Sequence, residues 1–234
     1  MNTVFDHQDS LDPQQAFIAF FDVLGFQERL RHSGLSEVLA AYRNLAQTKI
    51  RSGTLPVFSR AGVTHHQVGS TIFSDCIIFW CNDDWEAVQS LVSASAHMIA
   101  AAIDMGWPLR GGLAYGECVL DRDTRTFIGQ PIIDAYNTEK SQRWIGAGLH
   151  KSVHDHSTLG ERIGRLEDVI EYDVPTKKGQ PVLGHAVHWC PYSSHARTSI
   201  DEMKRNIEDR KAKRYYDLTL AYIMGRCKEY HASG

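Results

Sequence analysis

Two acidic residues sit where a protein seldom leaves a charge without a partner. Asp22 lies near the end of the nearly continuous apolar run 17–24 (FIAFFDVL), and Asp75 opens a second apolar run, 75–81 (DCIIFWC). A carboxylate on a strand buried on both faces is costly unless a cation or several donors meet it. Two such carboxylates facing one another repel unless a divalent ion lies between them. That chemistry is a Mg2+ or Mn2+ site of the two-metal kind. The same two positions also suit aspartates that do no more than cap turns.

Other reactive residue types are less organised. The 12 histidines include His65-His66, His154-x-His156 and His185-x-x-His188, but none forms an HExxH or has a cysteine at zinc-finger spacing. They read as ordinary surface or core histidines. No Ser-His-Asp or Cys-His signature supplies a nucleophile. Five cysteines, Cys76, Cys81, Cys118, Cys190 and Cys227, are odd in number, scattered and without CxxC. That argues for reduced thiols in a cytoplasmic protein, against a disulfide scaffold and against a zinc ribbon. The 234 residues carry a net charge of −3, with pI ≈ 6.4, so no global positive charge draws the chain to nucleic acid or an acidic membrane. An anionic substrate would need local cations. No run approaches the roughly 18 apolar residues of a membrane span, and the polar, acidic start lacks the pattern of a signal peptide.

The elements that must position the two acids follow from periodicity. Residues 1–15 read as a flexible lead-in. Residues 17–24 read as a buried strand ended by Gly25, and Leu39, Tyr42, Leu45, Ala46 and Ile50 mark a helix over 36–50. Two strands, 64–72 and 75–81, flank a tight turn at Phe73-Ser74. Trp85, Val88, Leu91, Val92, Ser95, Met98, Ala102 and Met105 trace one face of a long helix ended by Gly106 and Pro108. Residues 109–120 (LRGGLAYGECVL) predict a Gly-rich strand pair, and Gly129-x-Pro131 opens another helix. Short strands are expected at 147–150, 169–174 and 182–189, the last two joined by Lys177-Lys178-Gly179. A charged amphipathic helix closes the chain over 199–230; the acids among its lysines and arginines mark a solvated face. This order predicts an α+β protein, an α/β sandwich with a ferredoxin-like βαββαβ core, extra strands and a long C-terminal helix. The division is a lead-in (1–15), one domain (16–190) and a helical extension (191–234). In such a core the first strand lies beside the following hairpin, so Asp22 and Asp75 meet at one edge.

"AFIAFFDVLGF" at 16–26, "STIFSDCIIFW" at 70–80 and "PLRGGLAYGE" at 108–117 fall in the order and spacing of class III nucleotidyl cyclases. Within that superfamily the chain most resembles the bacterial pyrimidine cyclases of the Pycsar anti-phage systems, through FFDVLGF, FSD in place of GD, RGG-x-x-YG and "GQPIIDAYNTEK" at 129–140. The resemblance covers about residues 16–190. It implies that Asp22 and Asp75 hold two divalent ions, Mn2+ or Mg2+, with the Val23 carbonyl as a backbone ligand. The Leu24-Gly25-Phe26 turn would present N–H groups to the triphosphate, aided by Arg110 and by Lys178 of the Lys-Gly turn. One metal lowers the pKa of the ribose 3′-hydroxyl and the other neutralises phosphate charge; the 3′-oxygen attacks the α-phosphorus and pyrophosphate leaves. The implied assembly is a homodimer with composite sites, whose cyclic nucleotide acts through a sensing effector. A surface arginine at a strand start and two solvated lysines are the plain alternatives for Arg110 and Lys178.

The match departs on the helix after Gly129. Purine cyclases place an asparagine and a transition-state arginine where this chain has Ile133 and Asn137; Asn137, Lys140 and Arg143 are the nearby substitutes. Counting from the same motifs puts Thr71 and Thr126 at the base-reading positions. Short hydroxyls both donate and accept, which suits a pyrimidine edge and favours UTP over CTP. Competing readings are a purine cyclase, a palm that joins two nucleotides, and a catalytically inactive cyclase-fold sensor or scaffold. The palm reading lacks the GG(D/E)EF hairpin of diguanylate cyclases, and inactive versions usually lose a metal acid, whereas both acids are present.

Overall fold

The computed structural model describes residues 12–45, 56–59, 62–65, 68–121, 126–179 and 182–227. Most of the lead-in, the expected helix beyond Leu45 and the last residues lie outside that set.

In chain order the strands are β1 (Gln14–Val23), β2 (Pro56–Ser59), β3 (Gly62–His65), β4 (Gly69–Phe73), β5 (Cys76–Asn82), β6 (Leu109–Asp121), β7 (Thr126–Gly129), β8 (Gly146–Leu149), β9 (Val169–Val174) and β10 (Val182–Val187). The helices are α1 (Phe26–Leu45), α2 (Trp85–Asp104), α3 (Gln130–Ser141), α4 (Lys151–His154), α5 (Gly160–Ile163), α6 (Ala196–Arg205) and α7 (Arg210–Arg226). An eight-stranded sheet runs β4-β5-β1-β6-β8-β10-β9, with β7 paired to β6; β2 and β3 form a separate hairpin. The β4-β5-β1-β6 part, with α1 and α2 as crossovers, is the expected βαββαβ core. β1 is central, between β5 and β6, which explains its unbroken apolar run: both faces are covered.

Alternation along β1 sorts the layers. Phe17, Ala19, Phe21 and Val23 join the larger core with α2, whose Val88, Leu91, Val92, Met98, Ile99 and Ala102 form its buried stripe. Asp84 caps that helix, accepting from the Ala87 N–H at 3.0 Å. Ala16, Ile18 and Phe20 face the other way, into a smaller core with Trp80, Ala114 and Ala135 of α3. Asp22 continues this second series.

Several boundaries differ from expectation. The single strand expected over 64–72 is the end of β3 plus β4. The strand pair over 109–120 is one 13-residue strand, because Gly111 and Gly112 make room for neighbours rather than turning the chain. α1 starts at Phe26 and is broken at Gly34, where φ is 76°. The C-terminal helix is two helices: Asp209 restarts it, accepting from the Lys211 N–H at 2.8 Å. α7 packs into the core, with Tyr222 buried against the rings of Trp144, Tyr172 and Trp189. Its end is tied to the turn at Cys190–Tyr192 by a Cys190–Cys227 disulfide, which corrects the expectation of reduced thiols throughout. Their Cα atoms lie 5.8 Å apart, within disulfide range, and 37 residues of separation hid the pairing. Cys76, Cys81 and Cys118 are free. Among the described residues no helix is long and apolar enough to cross a membrane.

Candidate active site

Asp22 stands next to last in β1, with Cys76 of β5 and Arg110 of β6 as its cross-strand partners. Asp75 lies in the turn before β5 rather than at the head of the strand. Ser74 takes a φ of 56° there, and the Val23 N–H donates to the Asp75 carbonyl at 3.0 Å. That bond pins the turn to the end of β1. One ligand atom each from Asp22, Asp75 and Cys76 lies within 4.8 Å of the others. Two hard oxygens and one softer sulfur make a donor set that fits a divalent cation, Mn2+ better than Mg2+ if the sulfur takes part. The electrostatics agree. Burial, then the charges of Glu139 and Asp75, push the Asp22 carboxyl up to about 6 against the opposing pull of Arg110. A bound cation would take the place of that proton. Burial and the same acids push the Cys76 thiol up to about 12, so without metal it stays protonated.

Arg110 is not a free cation at a strand start. It is 7% exposed; its Nε donates to a Glu139 oxygen, and Nη2 ion-pairs with that same oxygen. Its Nη1 donates to the Tyr215 hydroxyl at 3.3 Å, and Nη2 stands 3.8 Å from Asp22 Oδ2. The glycines beside it make this pairing possible. A Cβ on Gly112 would lie 2.3 Å from the Ala135 carbonyl oxygen and 2.8 Å from the Glu139 nitrogen, so only glycine lets the α3 backbone rest on the sheet. A Cβ on Gly111 would lie 2.4 Å from the Phe21 ring. Gln142 then locks the end of α3, donating to the carbonyls of Gly111 (2.8 Å) and Thr138 (2.7 Å).

The remaining expected residues divide. Leu24 does not offer its N–H to a phosphate; it donates to the Pro108 carbonyl at 2.9 Å. Gly25, at φ 76°, and Phe26 form the start of α1. Of the two turn lysines, Lys177 addresses the cluster. Burial and then the Arg110 charge hold its ammonium below the ordinary value, and its own charge reaches Glu139 and Asp22. Lys178 is exposed. Arg143 donates from Nη2 to the Lys177 carbonyl at 3.2 Å, steadying that turn. Lys140 donates to the Tyr136 hydroxyl on the open side of α3, where Asn137 is also exposed. Thr71 pairs with Ile78 and so shares the face of Asp22. Thr126 pairs with Asp121 and falls on the opposite face, so one chain does not bring the two threonines together.

Sequence reasoning missed Cys76, Glu139 and Tyr215, and of the turn lysines it chose Lys178 over Lys177. Glu139 had a signal: Pro131, Ala135 and Glu139, spaced four apart, are the buried stripe of α3, and an acid in such a stripe needs a partner. Cys76 follows a proposed ligand directly. Tyr215 had none, being 105 residues from Arg110.

Neither a protein-family model nor a curated protein sequence matches the chain. Solved structures do. The chain is similar to the catalytic core of a rhodopsin-guanylyl cyclase with converted specificity, at 11% identity over 75% of this chain and 95% of that one, TM-score 0.49. It is similar to an adenylate cyclase from Trypanosoma brucei at 12% identity over 78% and 93%, TM-score 0.49. A class III adenylyl cyclase-like ATP-binding protein from Pseudomonas aeruginosa matches at 10% identity over 94% and 47%, TM-score 0.45.

Proposed function

We propose that this protein is a nucleotidyl cyclase that closes a pyrimidine nucleoside triphosphate, UTP in preference to CTP, into its 3′,5′-cyclic monophosphate, as a second-messenger synthase of anti-phage defence. The observation that carries this reading is the meeting of Asp22, from the end of β1, with Asp75, from the β4–β5 turn, at one edge of a ferredoxin-like sheet. The motifs that resemble class III cyclases centre on those same two acids. Asp22 and Asp75 hold the cations, with the Val23 carbonyl beside them. Two divalent ions bound there supply Lewis acidity to the ribose 3′-hydroxyl and countercharge to the triphosphate. Gly25 leaves open space above the start of α1, where a phosphate can approach the backbone. Lys177 or Lys178, on the turn after β9, meets the triphosphate as a point charge. The 3′-oxygen attacks the α-phosphorus in line, and pyrophosphate is released. Thr71 and Thr126 read the base, one from each protomer of a homodimer.

Incubation with each of the four ribonucleoside triphosphates and Mn2+, followed by chromatography, tests this reading. The expected product is cyclic UMP with pyrophosphate. Preference for ATP or GTP would reassign the base and leave the metal site standing. Asp22→Ala and Asp75→Ala are expected to abolish cyclisation while leaving the fold intact. Near wild-type turnover of either variant at saturating Mn2+ would rule out the two-acid assignment.

A further inference from the structure

The C-terminal helix α7 reaches the candidate site through one side chain. Tyr215 accepts a hydrogen bond from Arg110 Nη1 at 3.3 Å, and its ring lies under the same guanidinium, 5.6 Å from Cζ. We infer that Tyr215 is a positioning residue for Arg110: together with Glu139 it holds the guanidinium beside Asp22 without letting it close onto that carboxylate. This inference rests on reading Asp22 as a metal ligand.

The geometry argues it step by step. A guanidinium is a rigid plane, so fixing two edges fixes the third. Nε and Nη2 are committed to Glu139 on one side and Nη1 to Tyr215 on another. The approach to Asp22 stops at 3.8 Å, beyond a hydrogen bond. Arg110 therefore lends positive charge to a crowded site that also holds Asp75, yet leaves the Asp22 oxygens to a cation. Both anchors are themselves fixed. Glu139 is 2% exposed on the α3 stripe that lies against Gly112. Tyr215 is held from below by Thr219, one turn further along α7. The Thr219 hydroxyl donates to the Tyr215 carbonyl and accepts from the Ile145 N–H, both at 2.8 Å. Ile145 leads directly into β8, where Gly146 is the partner of Arg110 in β6. The loop of contacts is closed: β6 to α7 to β8 and back to β6.

Removing the tyrosine hydroxyl frees Nη1, and the loosened guanidinium can close the 3.8 Å gap to Asp22 Oδ2. A direct Arg110–Asp22 pair then competes with metal. Because Tyr215→Phe changes no charge at neutral pH and keeps the ring, a weaker metal site cannot come from altered net charge or lost packing.

The test is a titration with Mn2+ alone, without nucleotide, following the free ion by electron paramagnetic resonance, with thermal melts of each protein. Tyr215→Phe is expected to raise the Kd for Mn2+ about tenfold, the scale on which residues behind metal ligands act, with little change in melting temperature. Glu139→Asp keeps its charge, shortens the reach and shifts the Kd the same way; it decides the matter should Tyr215→Phe melt below the assay temperature. Wild-type Mn2+ affinity in these variants overturns the inference. If Asp22→Ala binds Mn2+ as the wild type does, the metal reading itself fails and takes the inference with it. If Asp22→Ala loses binding while Tyr215→Phe keeps it, only the inference falls.

Discussion

At the scale of single residues, Asp22 is held in a state that costs the metal-free protein stability. Its carboxyl titrates at about 6 in the folded chain against 3.8 in the open one, chiefly because burial penalises the charged form. Folding thus favours the protonated acid. The contribution is fully present below the unfolded value and is lost as pH rises through about 6. Asp22→Asn removes the penalty. In EDTA at pH 7 the variant is expected to be more stable than wild type by about 1–2 kcal/mol, allowing for partial solvent screening. The difference should vanish below about pH 4. Saturating Mn2+ should reverse the order, because only the wild type gains binding energy from the ion. Urea melts at the two pH values, with and without metal, measure all three.

At the scale of elements, the site is set by how close α3 comes to β6. The contact at Gly112 is backbone on backbone, so the helix cannot yield by a rotamer change. Gly112→Ala must lift α3 off the sheet by a large part of an ångström, and Glu139 rides on that helix. The expected cost is about 1–3 kcal/mol of stability, with a loss of Mn2+ affinity that follows the displaced Glu139–Arg110 pair. Calorimetry and the Mn2+ titration read the two effects separately; unchanged metal affinity in a destabilised variant would mean that the seating of α3 serves packing alone. Gly25→Ala offers the comparison at the other side of the site. Its Cβ meets no atom within 4 Å, so its cost comes from the left-handed backbone alone.

At the scale of the whole molecule, one chain holds only part of the proposed site. Thr71 lies on the face of Asp22 and Thr126 on the other, and a two-fold partner is the simplest way to bring the missing half. Large apolar side chains are exposed at the β4–β5 turn and on α3. Phe73, across the strand pair from Cys76, is 80% exposed, and Ile133 and Tyr136 are exposed on α3. The wild type is expected to sediment as a dimer at micromolar concentration. Phe73→Asp combined with Ile133→Glu should yield a monomer that still binds Mn2+ but no longer cyclises nucleotide. A wild-type monomer active at nanomolar concentration would rule the dimer out.

The parts of this protein that the sequence determined by itself are those driven by burial along a local period. The apolar run around Asp22, the stripe of α2 and the strand–helix order of the core were all legible, and with them the edge where Asp22 and Asp75 meet. Element ends were less so: glycines in β6 looked like a turn because their real neighbours, the Phe21 ring and the α3 backbone, are distant in the chain. Choices between partners were decided only in three dimensions. Whether Lys177 or Lys178 brings its charge nearer the acids depends on the rotation of one turn. Whether Leu24 offers its N–H to a ligand depends on where the Pro108 carbonyl lies. Arg110 finds Glu139 at a separation of 29 residues and Tyr215 at 105, through two helices far apart in the chain. Local burial energy specifies which face of an element turns inward, but which charged group it meets there is set by the packing of whole elements against one another.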